Sequence, residues 1–505
     1  MNAPDGTATA PIVFGTDGVR GRVPEAFNLA LLTQLGKGVC SWLLDEGASG
    51  VLSLPGVPAQ FARPFAQRIL VGYDRRPDSA EFALPLAKVC AAYGFEVGLT
   101  PDFAPTPAIA LAARDLGFDC ALIVTASHNQ YTDNGLKLKP SYGGSATSEI
   151  TNRVEAAVAN PVRAVACATS KSNAPQAFDV APHYLTTVRE LLQLGSWHLP
   201  GVTIQFDAMH GATTGWLQRV VEGTDLVVNA LHEERATHAT SLHPEPLAQW
   251  LTVLTEAVGS TPGSVGIACD GDGDRLGLVD EQGRFLSSQV FYPLILLSRL
   301  KLGELPVPAI AKTFSGTMLL DRIGAKYGLT VREVPVGYKH ISLMLAEGSI
   351  AMGGEESGGL GFVEFIPERD GVYSGLMTLS LMARRGMTLA ALHDELMAEV
   401  GPVTFFRRDL ALQRVVTRDE LQALMASASK SGSFAGEAVE RVESLDGVKF
   451  WFSDGWLLLR PSGTEALIRL YCEHRSEERM VKLLAAAVAL VSAPEHGLVA
   501  GVAAH

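Results

Sequence analysis

The chain lacks any run of about 18 apolar residues free of charges or turn formers, so no membrane-spanning helix is expected. Cysteine is scarce, with 6 residues in 505, each standing singly rather than in a paired spacing. The opening MNAPDGTATAPIVFG has neither the basic start nor the continuous apolar block of a secretory signal. A reducing, cytoplasmic setting is therefore expected. Positive charge is also in short supply: 41 Lys and Arg face 54 Asp and Glu, for a net charge of −13 and a pI near 5.4. That balance disfavours a nucleic-acid surface, and any phosphate the protein binds must meet basic groups gathered locally.

Material for burial is ample. A composition of 47% hydrophobic and 19% charged residues over 505 positions predicts a soluble globular protein of two to four packed units. Strand-like runs, RILVGYD, CALIVTAS, VTIQFDA and VGIACD, alternate with stretches of helical apolar spacing such as FNLALLTQLGKGVCSWLLDEG, which predicts α/β layers. Polar groups follow these strands repeatedly: DRRPDS after RILVGYD, HNQYTDNG after CALIVTAS, and GDGDR after VGIACD. Strand C-terminal ends are where open α/β sheets place their ligands. Composition shifts at Ala164 to Pro175, near Gly283 and around Gly401 and Pro402 divide the chain into units spanning 1–170, 171–284, 285–400 and 401–505. Three prolines between Gly50 and Pro64 read as a surface loop, and the small-residue tail from Ala493 to His505 as frayed or loosely docked.

Five constellations carry polar chemistry. In TASHNQYTDNGLKLKP, Thr125 to Pro140, Ser127 sits at a strand end where its hydroxyl can face solvent and a substrate, with His128, Asn129 and Lys137 as polar neighbours. No G-x-S-x-G elbow surrounds it, so hydrolase-type acyl transfer is disfavoured, and alone the segment reads as a polar loop with a helix N-cap serine. In DGDGDR, Asp270, Asp272 and Asp274 alternate with glycines, so three carboxylates can converge on one hard cation, best Mg²⁺ because it bridges carboxylates and phosphate. An EF-hand would use Glu281 at the twelfth position, but Arg275 stands where the loop needs glycine, and strand-like segments flank it. A solvated acidic turn is the remaining alternative, against which the mutual repulsion of three close carboxylates argues.

RPSGTEALIRLY, Arg460 to Tyr471, offers an anion the turn Pro461 to Thr464 with two hydroxyls, and the charges of Arg460 and Arg469. It reads equally as a helix start with Glu465 in the first turn. Glu355, Glu356 and Ser357 in GGEESGGLGF suit vicinal sugar hydroxyls, or a flexible surface turn. Lys339 and His340 in PVGYKHI could bind phosphate or move a proton, or be surface charges. FGTDGVRG places Asp17 and Arg20 in a glycine-punctuated turn, and Arg75 and Arg76 in GYDRRP read as a solvated pair.

Together, FGTDGVRG, TASHN with the downstream NGLKL, DGDGDR, GEESGG and RPSGTE resemble in order and spacing the motifs of the α-D-phosphohexomutase family, over nearly the whole chain. The resemblance implies a four-domain α/β architecture around a central cleft, with three similar mixed α/β domains and a different α+β C-terminal domain, each contributing a loop. It implies that Ser127 carries a phosphate, and that Asp270, Asp272 and Asp274 hold Mg²⁺ with that phosphate completing the site. Arg20, His128, Lys137 and Arg275 would surround the phosphoserine, Glu355 and Ser357 would join Arg275 in binding sugar, and Lys339 would serve binding or proton transfer. Arg460, Ser462, Gly463 and Thr464, with Arg469, would hold the phosphate that is not transferred. The partner implied is a phosphorylated hexose, with glucose 1,6-bisphosphate as activator and intermediate, acting on a monomer or homodimer.

The sugar loop GEESGG resembles the glucose-preferring form rather than GEMSGH or GEQSGH, whereas FGTDGVRG resembles the glucosamine branch. PVGYKHI and FDAMHGAT again resemble bacterial phosphoglucomutases, so glucose is the expected hexose, with mannose or glucosamine as alternatives. A non-catalytic phosphosugar-binding protein and a bisphosphate synthase are the alternatives beyond the mutases.

Overall fold

The computed structural model describes residues 14–15, 17–161, 174–430, 432–462, 466–493 and 498. The run RILVGYD forms the strand Arg68–Tyr73 and CALIVTAS the strand Cys120–Val124, paired in parallel at the centre of a six-stranded sheet. Both are continuous apolar runs because helices cover the sheet, among them Ser79–Ala92 and Thr106–Asp115. The antiparallel strands Asp133–Pro140 and Val19–Arg22 extend one edge. Helix Leu29–Glu46 begins where Asn28 accepts hydrogen bonds from the N–H groups of Ala30 and Leu31, and buries Leu32, Leu35, Val39 and Leu43 in the core. A second, five-stranded sheet repeats the plan: Thr203–Asp207 and Ser264–Cys269 pair in parallel, and Leu276–Val279 returns antiparallel.

The stretch from Gly50 to Pro64 corrects the surface-loop expectation. Val51–Leu52 pairs antiparallel with Arg63–Pro64, and Leu52 and Leu54 are buried in the core of the first sheet. Two apolar side chains anchored in that core outweigh the local turn signal. At the other end of the chain, Leu498 is buried and its carbonyl accepts from the Gln413 N–H, so this part of the tail is docked.

The chain divides into two compact units, one comprising Met1–Ser287, Gly337–Gly353 and Ser357–Leu389, the other Ser288–Val336, Gly354–Glu356 and Ala390–His505. Both sheets described above belong to the first. In the second, Ala309–Thr313 pairs in parallel with Thr330–Val334, while the C-terminal part is an antiparallel sheet ordered Thr404–Ala411, Leu467–His474, Gly455–Pro461, Val448–Phe452, Arg441–Glu443. Helices Arg418–Ala428 and Glu477–Ser492 close the core of that sheet, the different α+β build expected of the C-terminal domain.

Within this second unit Lys449 is fully buried. Its Nζ lies 4.8, 4.4 and 4.6 Å from the ring centres of Phe314, Trp451 and Trp456 and donates to Glu333 at 2.7 Å. Burial, then the Lys312 charge, pushes this ammonium down to about 8. The unfolded value is about 10.4. Between those values the unfolded chain binds the proton that the folded state has released, so this residue makes stability rise with pH across that window. The urea midpoint of the second unit is expected to rise between pH 8 and about pH 10 more in the wild type than in a Lys449→Met variant. Parallel curves for the two proteins would count against this assignment.

Candidate active site

The strand Cys120–Val124 ends in a loop that turns back into Asp133–Pro140, so an antiparallel strand rather than a helix follows, and Ser127 is no helix cap. Ser127 has φ +54°, in the left-handed region that a residue bearing a Cβ rarely adopts. Its side chain is 1% exposed instead of facing bulk solvent, and its Oγ donates to Asp270 Oδ2 at 3.1 Å. The loop of the aspartates follows the buried strand Ser264–Cys269 and leads into the antiparallel strand Leu276–Val279, a hairpin unlike the helix–loop–helix of an EF-hand. Glu281 accepts from the Leu389 N–H, away from that loop. Asp270 Oδ1 receives the N–H groups of Asp274 and Arg275, which fixes the turn and leaves Oδ2 to Ser127.

Asp270, Asp272 and Asp274 are all fully buried, and each offers a carboxylate oxygen within 4.8 Å of the others. Their two kinds of oxygen are treated differently. Asp272 Oδ2 accepts from Thr106 Oγ1 at 2.5 Å and lies 2.7 Å from Lys137 Nζ; Asp274 Oδ2 lies 2.7 Å from both Lys137 Nζ and Arg369 Nη2. The remaining oxygens, Asp272 Oδ1 and Asp274 Oδ1, are buried without a hydrogen bond. Buried carboxylate oxygens are rarely left so, and a hard cation among them fits the donor set.

Burial, then the charges of Asp274 and Asp272, pushes Asp270 well above the usual carboxylate range, against the opposing charges of Arg275 and Lys137. Burial also opposes ionisation of Asp272, but Lys137 and the Thr106 hydroxyl overcome it and hold the carboxyl down. For Lys137 the burial cost is outweighed by Asp17, Asp272 and Asp274, which keep the ammonium charged. Burial, followed by the positive charges of Arg275, Arg20 and Lys137, pushes His128 far down, so its imidazole is neutral at neutral pH, with a buried Nδ1 that makes no hydrogen bond. Arg20 Nη1 donates to Asn129 Oδ1 at 3.3 Å, and Arg275 Nη1 to Glu245 at 2.7 Å. The first unit thus gathers Arg20, Ser127, His128, Lys137, Arg275 and the three aspartates. Lys339 is not part of that gathering: its ammonium donates to Ser148 Oγ at 2.8 Å.

The second unit holds a basic cluster. Arg460 and Arg469 face each other across the ladder between Gly455–Pro461 and Leu467–His474, held by Asp446 at 2.8 Å and Asp409 at 3.5 Å. Burial works against the Arg460 charge, but Asp446 outweighs it. Ser462 is largely buried, and Gly463 and Thr464 lie outside the described residues. In the sugar loop, Glu355 is buried, while Glu356 Oε2 accepts from Ser315 Oγ at 2.6 Å and Thr313 Oγ1 at 3.2 Å. Ser357 belongs to the first unit and is half-buried.

Family models for the phosphoglucomutase/phosphomannomutase α/β/α domains I, II and III match residues 57–163, 182–283 and 292–400, and the model for the C-terminal domain matches 415–491. A phosphoglucosamine mutase of Thioalkalivibrio sulfidiphilus is 32% identical over 94% of this chain and 96% of its own. The chain belongs to the α-D-phosphohexomutase family. A phosphoglucomutase/phosphomannomutase of Thermococcus kodakarensis is 27% identical over 95% of this chain and 98% of its own. The crystal structure of a putative phosphomannomutase from Thermus thermophilus superposes with a TM-score of 0.80 at 30% identity, covering 95% of this chain and 99% of the other. Four-domain architecture and phosphohexomutase chemistry follow from this membership.

Some residues of the phosphohexomutase cluster escape a reading by motif. Asp17 joins Lys137, Lys139 and Arg369, and Lys139 also meets Glu368 at 2.5 Å, a buried web of charges behind the aspartates. Of these, only Asp17 and Lys137 stood out in the sequence. Arg76, expected to be solvated, is 1% exposed. The only available hint was an arginine in the turn that follows a buried strand.

Proposed function

We propose that the chain interconverts hexose 1-phosphates and hexose 6-phosphates through a phosphate carried by Ser127, with a hexose 1,6-bisphosphate between the two transfers and glucose as the preferred sugar. The observation that carries this reading is Ser127 Oγ, 3.1 Å from Asp270, whose companions in the carboxylate group, Asp272 and Asp274, each have a buried oxygen without a hydrogen bond. Asp270, Asp272 and Asp274 would hold Mg²⁺, which when bound neutralises charge developing on a transferring phosphoryl group. Lys137 and Arg20 supply positive charge beside the serine. Neutral His128 is suited to exchange a proton with the sugar hydroxyl that attacks or leaves. Arg460, Arg469 and Ser462 hold the phosphate that is not being transferred, and Glu355, Glu356 and Ser357 bind sugar hydroxyls.

Glucose is favoured by the GEESGG loop, glucosamine by the name of the 32% identical relative. Turnover of glucose, glucosamine and mannose 1-phosphates at saturating Mg²⁺ separates them: kcat/KM for glucose is expected to exceed the others at least about tenfold. A glucosamine preference would overturn the sugar assignment and leave the chemistry standing. Intact mass tests the chemistry itself, since one phosphate should be present on Ser127 and be discharged by the hexose monophosphate. A chain that binds the sugar phosphate but never carries phosphate would be a binding protein.

The close approach of the two loops yields a further expectation. A Cβ on Gly271 would lie 2.3 Å from the Ser127 carbonyl oxygen, a backbone atom that must then move. Gly271→Ala is expected to lower kcat about 10- to 100-fold by displacing the serine from the aspartates, as measured in a coupled assay. Unchanged kcat would show that the loops tolerate the shift.

A further inference from the structure

Every polar hydrogen of the Arg76 guanidinium is spent inside the first unit. Nε donates to Asp74 Oδ2 at 3.0 Å; Nη1 donates to the carbonyls of Gln130 and Asp133 at 2.7 and 3.1 Å; Nη2 donates to those of Ser127 and Asn129 at 2.6 and 2.7 Å. A guanidinium has five N–H donors and no more, so none remains for a ligand. All the acceptors except Asp74 are main-chain oxygens of the loop that carries Ser127 or of Asp133, the first residue of the strand after it. The cation is 1% exposed, and Asp74 beside it is buried as well.

Asp74 extends the hold to the other side of the serine. Its Oδ2 accepts from Thr125 Oγ1 at 2.6 Å, and that same hydroxyl oxygen accepts the N–H of Ser127 at 2.8 Å. Its Oδ1 receives Ser79 Oγ at 2.6 Å and the Arg76 N–H at 3.0 Å. Ser127 is therefore gripped at its N–H through Thr125 and at its C=O by Arg76, the two grips meeting on one carboxylate. Between those grips the backbone has φ +54°, a conformation that a residue with a Cβ rarely adopts. Such a conformation persists only where the surroundings impose it.

We infer that Arg76, backed by Asp74 and Thr125, is a positioning residue for phosphoryl transfer, holding the Ser127 loop in the strained form that aims Oγ at the aspartates. This rests on the phosphoserine reading above. It predicts a requirement for the five-donor fork and not merely for positive charge, because an ammonium has three donors and no planar fork with which to reach all of those carbonyls.

The test compares wild type, Arg76→Lys and Thr125→Val, the last a nearly isosteric change that cuts the link between Asp74 and the Ser127 N–H. Steady-state kinetics, thermal midpoints and intact mass after exposure to glucose 1,6-bisphosphate are measured on each folded chain. Arg76→Lys is expected to lose about 100-fold in kcat, and Thr125→Val about tenfold, with KM for the hexose phosphate within about threefold of wild type. Phosphate uptake on Ser127 should slow in proportion to kcat. A lysine variant within about threefold of wild-type kcat, or losses that fall mainly on KM, would overturn the inference while wild-type Ser127 still takes up phosphate. Should Arg76→Lys not fold, Thr125→Val alone decides, since a folded valine variant with wild-type kcat also overturns it. A wild-type chain that takes no phosphate on Ser127 removes the phosphoserine reading itself and the inference with it.

Discussion

Replacing Ser127 by alanine is expected to lower turnover by at least about 10⁴-fold, because the reaction is assigned to a phosphate bonded to that one oxygen. The fold should hardly notice. The Oγ hydrogen-bonds to Asp270, and alanine has the same Cβ in the same left-handed backbone. A thermal midpoint close to wild type would therefore assign the loss to chemistry. His128 is the group that makes the experiment informative: it adjoins Ser127, its imidazole is held neutral, and a neutral imidazole is itself a competent phosphoryl acceptor. Intact mass after incubation with glucose 1,6-bisphosphate distinguishes the two. Wild type should gain one phosphate and Ser127→Ala none. A variant that still gains phosphate, or that retains more than about 1% of turnover, would place the carrier elsewhere in the cluster and sink the phosphoserine assignment.

The parts of this site legible in the sequence are those whose chemistry is local. Asp270, Asp272 and Asp274 announce themselves because glycines separate them directly after an apolar strand, and the structure places them together by a turn that Asp270 Oδ1 closes on two backbone N–H groups. Ser127 was legible as a residue but not as an environment: the expected exposed hydroxyl is buried, and the expected helix is a strand. What stayed hidden is long-range. Arg369 meets Asp17 across 352 positions, and Lys139 meets Glu368 across 229, separations at which no spacing rule operates. Arg76 was misread because adjacent arginines ordinarily lie in solvent; its burial depends on the loop from Ser127 to Asp133 folding around it. The stretch from Gly50 to Pro64 failed for the same reason, since its prolines and glycines are local signals while Leu52 and Leu54 are held by a core formed elsewhere in the chain.

Changing Asp272 to asparagine is expected to weaken Mg²⁺ binding by about 10²-fold or more and to lower turnover about 10³-fold at Mg²⁺ levels that saturate the wild type. The argument turns on the two oxygens of Asp272. Oδ2 already receives Thr106 and Lys137, whereas Oδ1 is buried without a hydrogen bond, so the substitution removes negative charge at an oxygen suited to a cation. Loss of charge in general is a competing explanation, because Lys137 also loses part of its counter-charge. Asp17→Asn separates the two. Asp17 contacts Lys137 and Arg369 as Asp274 does, yet it lies outside the group of carboxylates that can share an ion. If the aspartates act as metal ligands, Asp17→Asn should keep Mg²⁺ affinity within a few-fold of wild type while Asp272→Asn does not, as read by titration calorimetry on the chelator-treated protein. Equal losses in both variants would make the triplet part of a charge network rather than a metal site, and an unchanged Mg²⁺ response in Asp272→Asn would remove that residue from the ligand set.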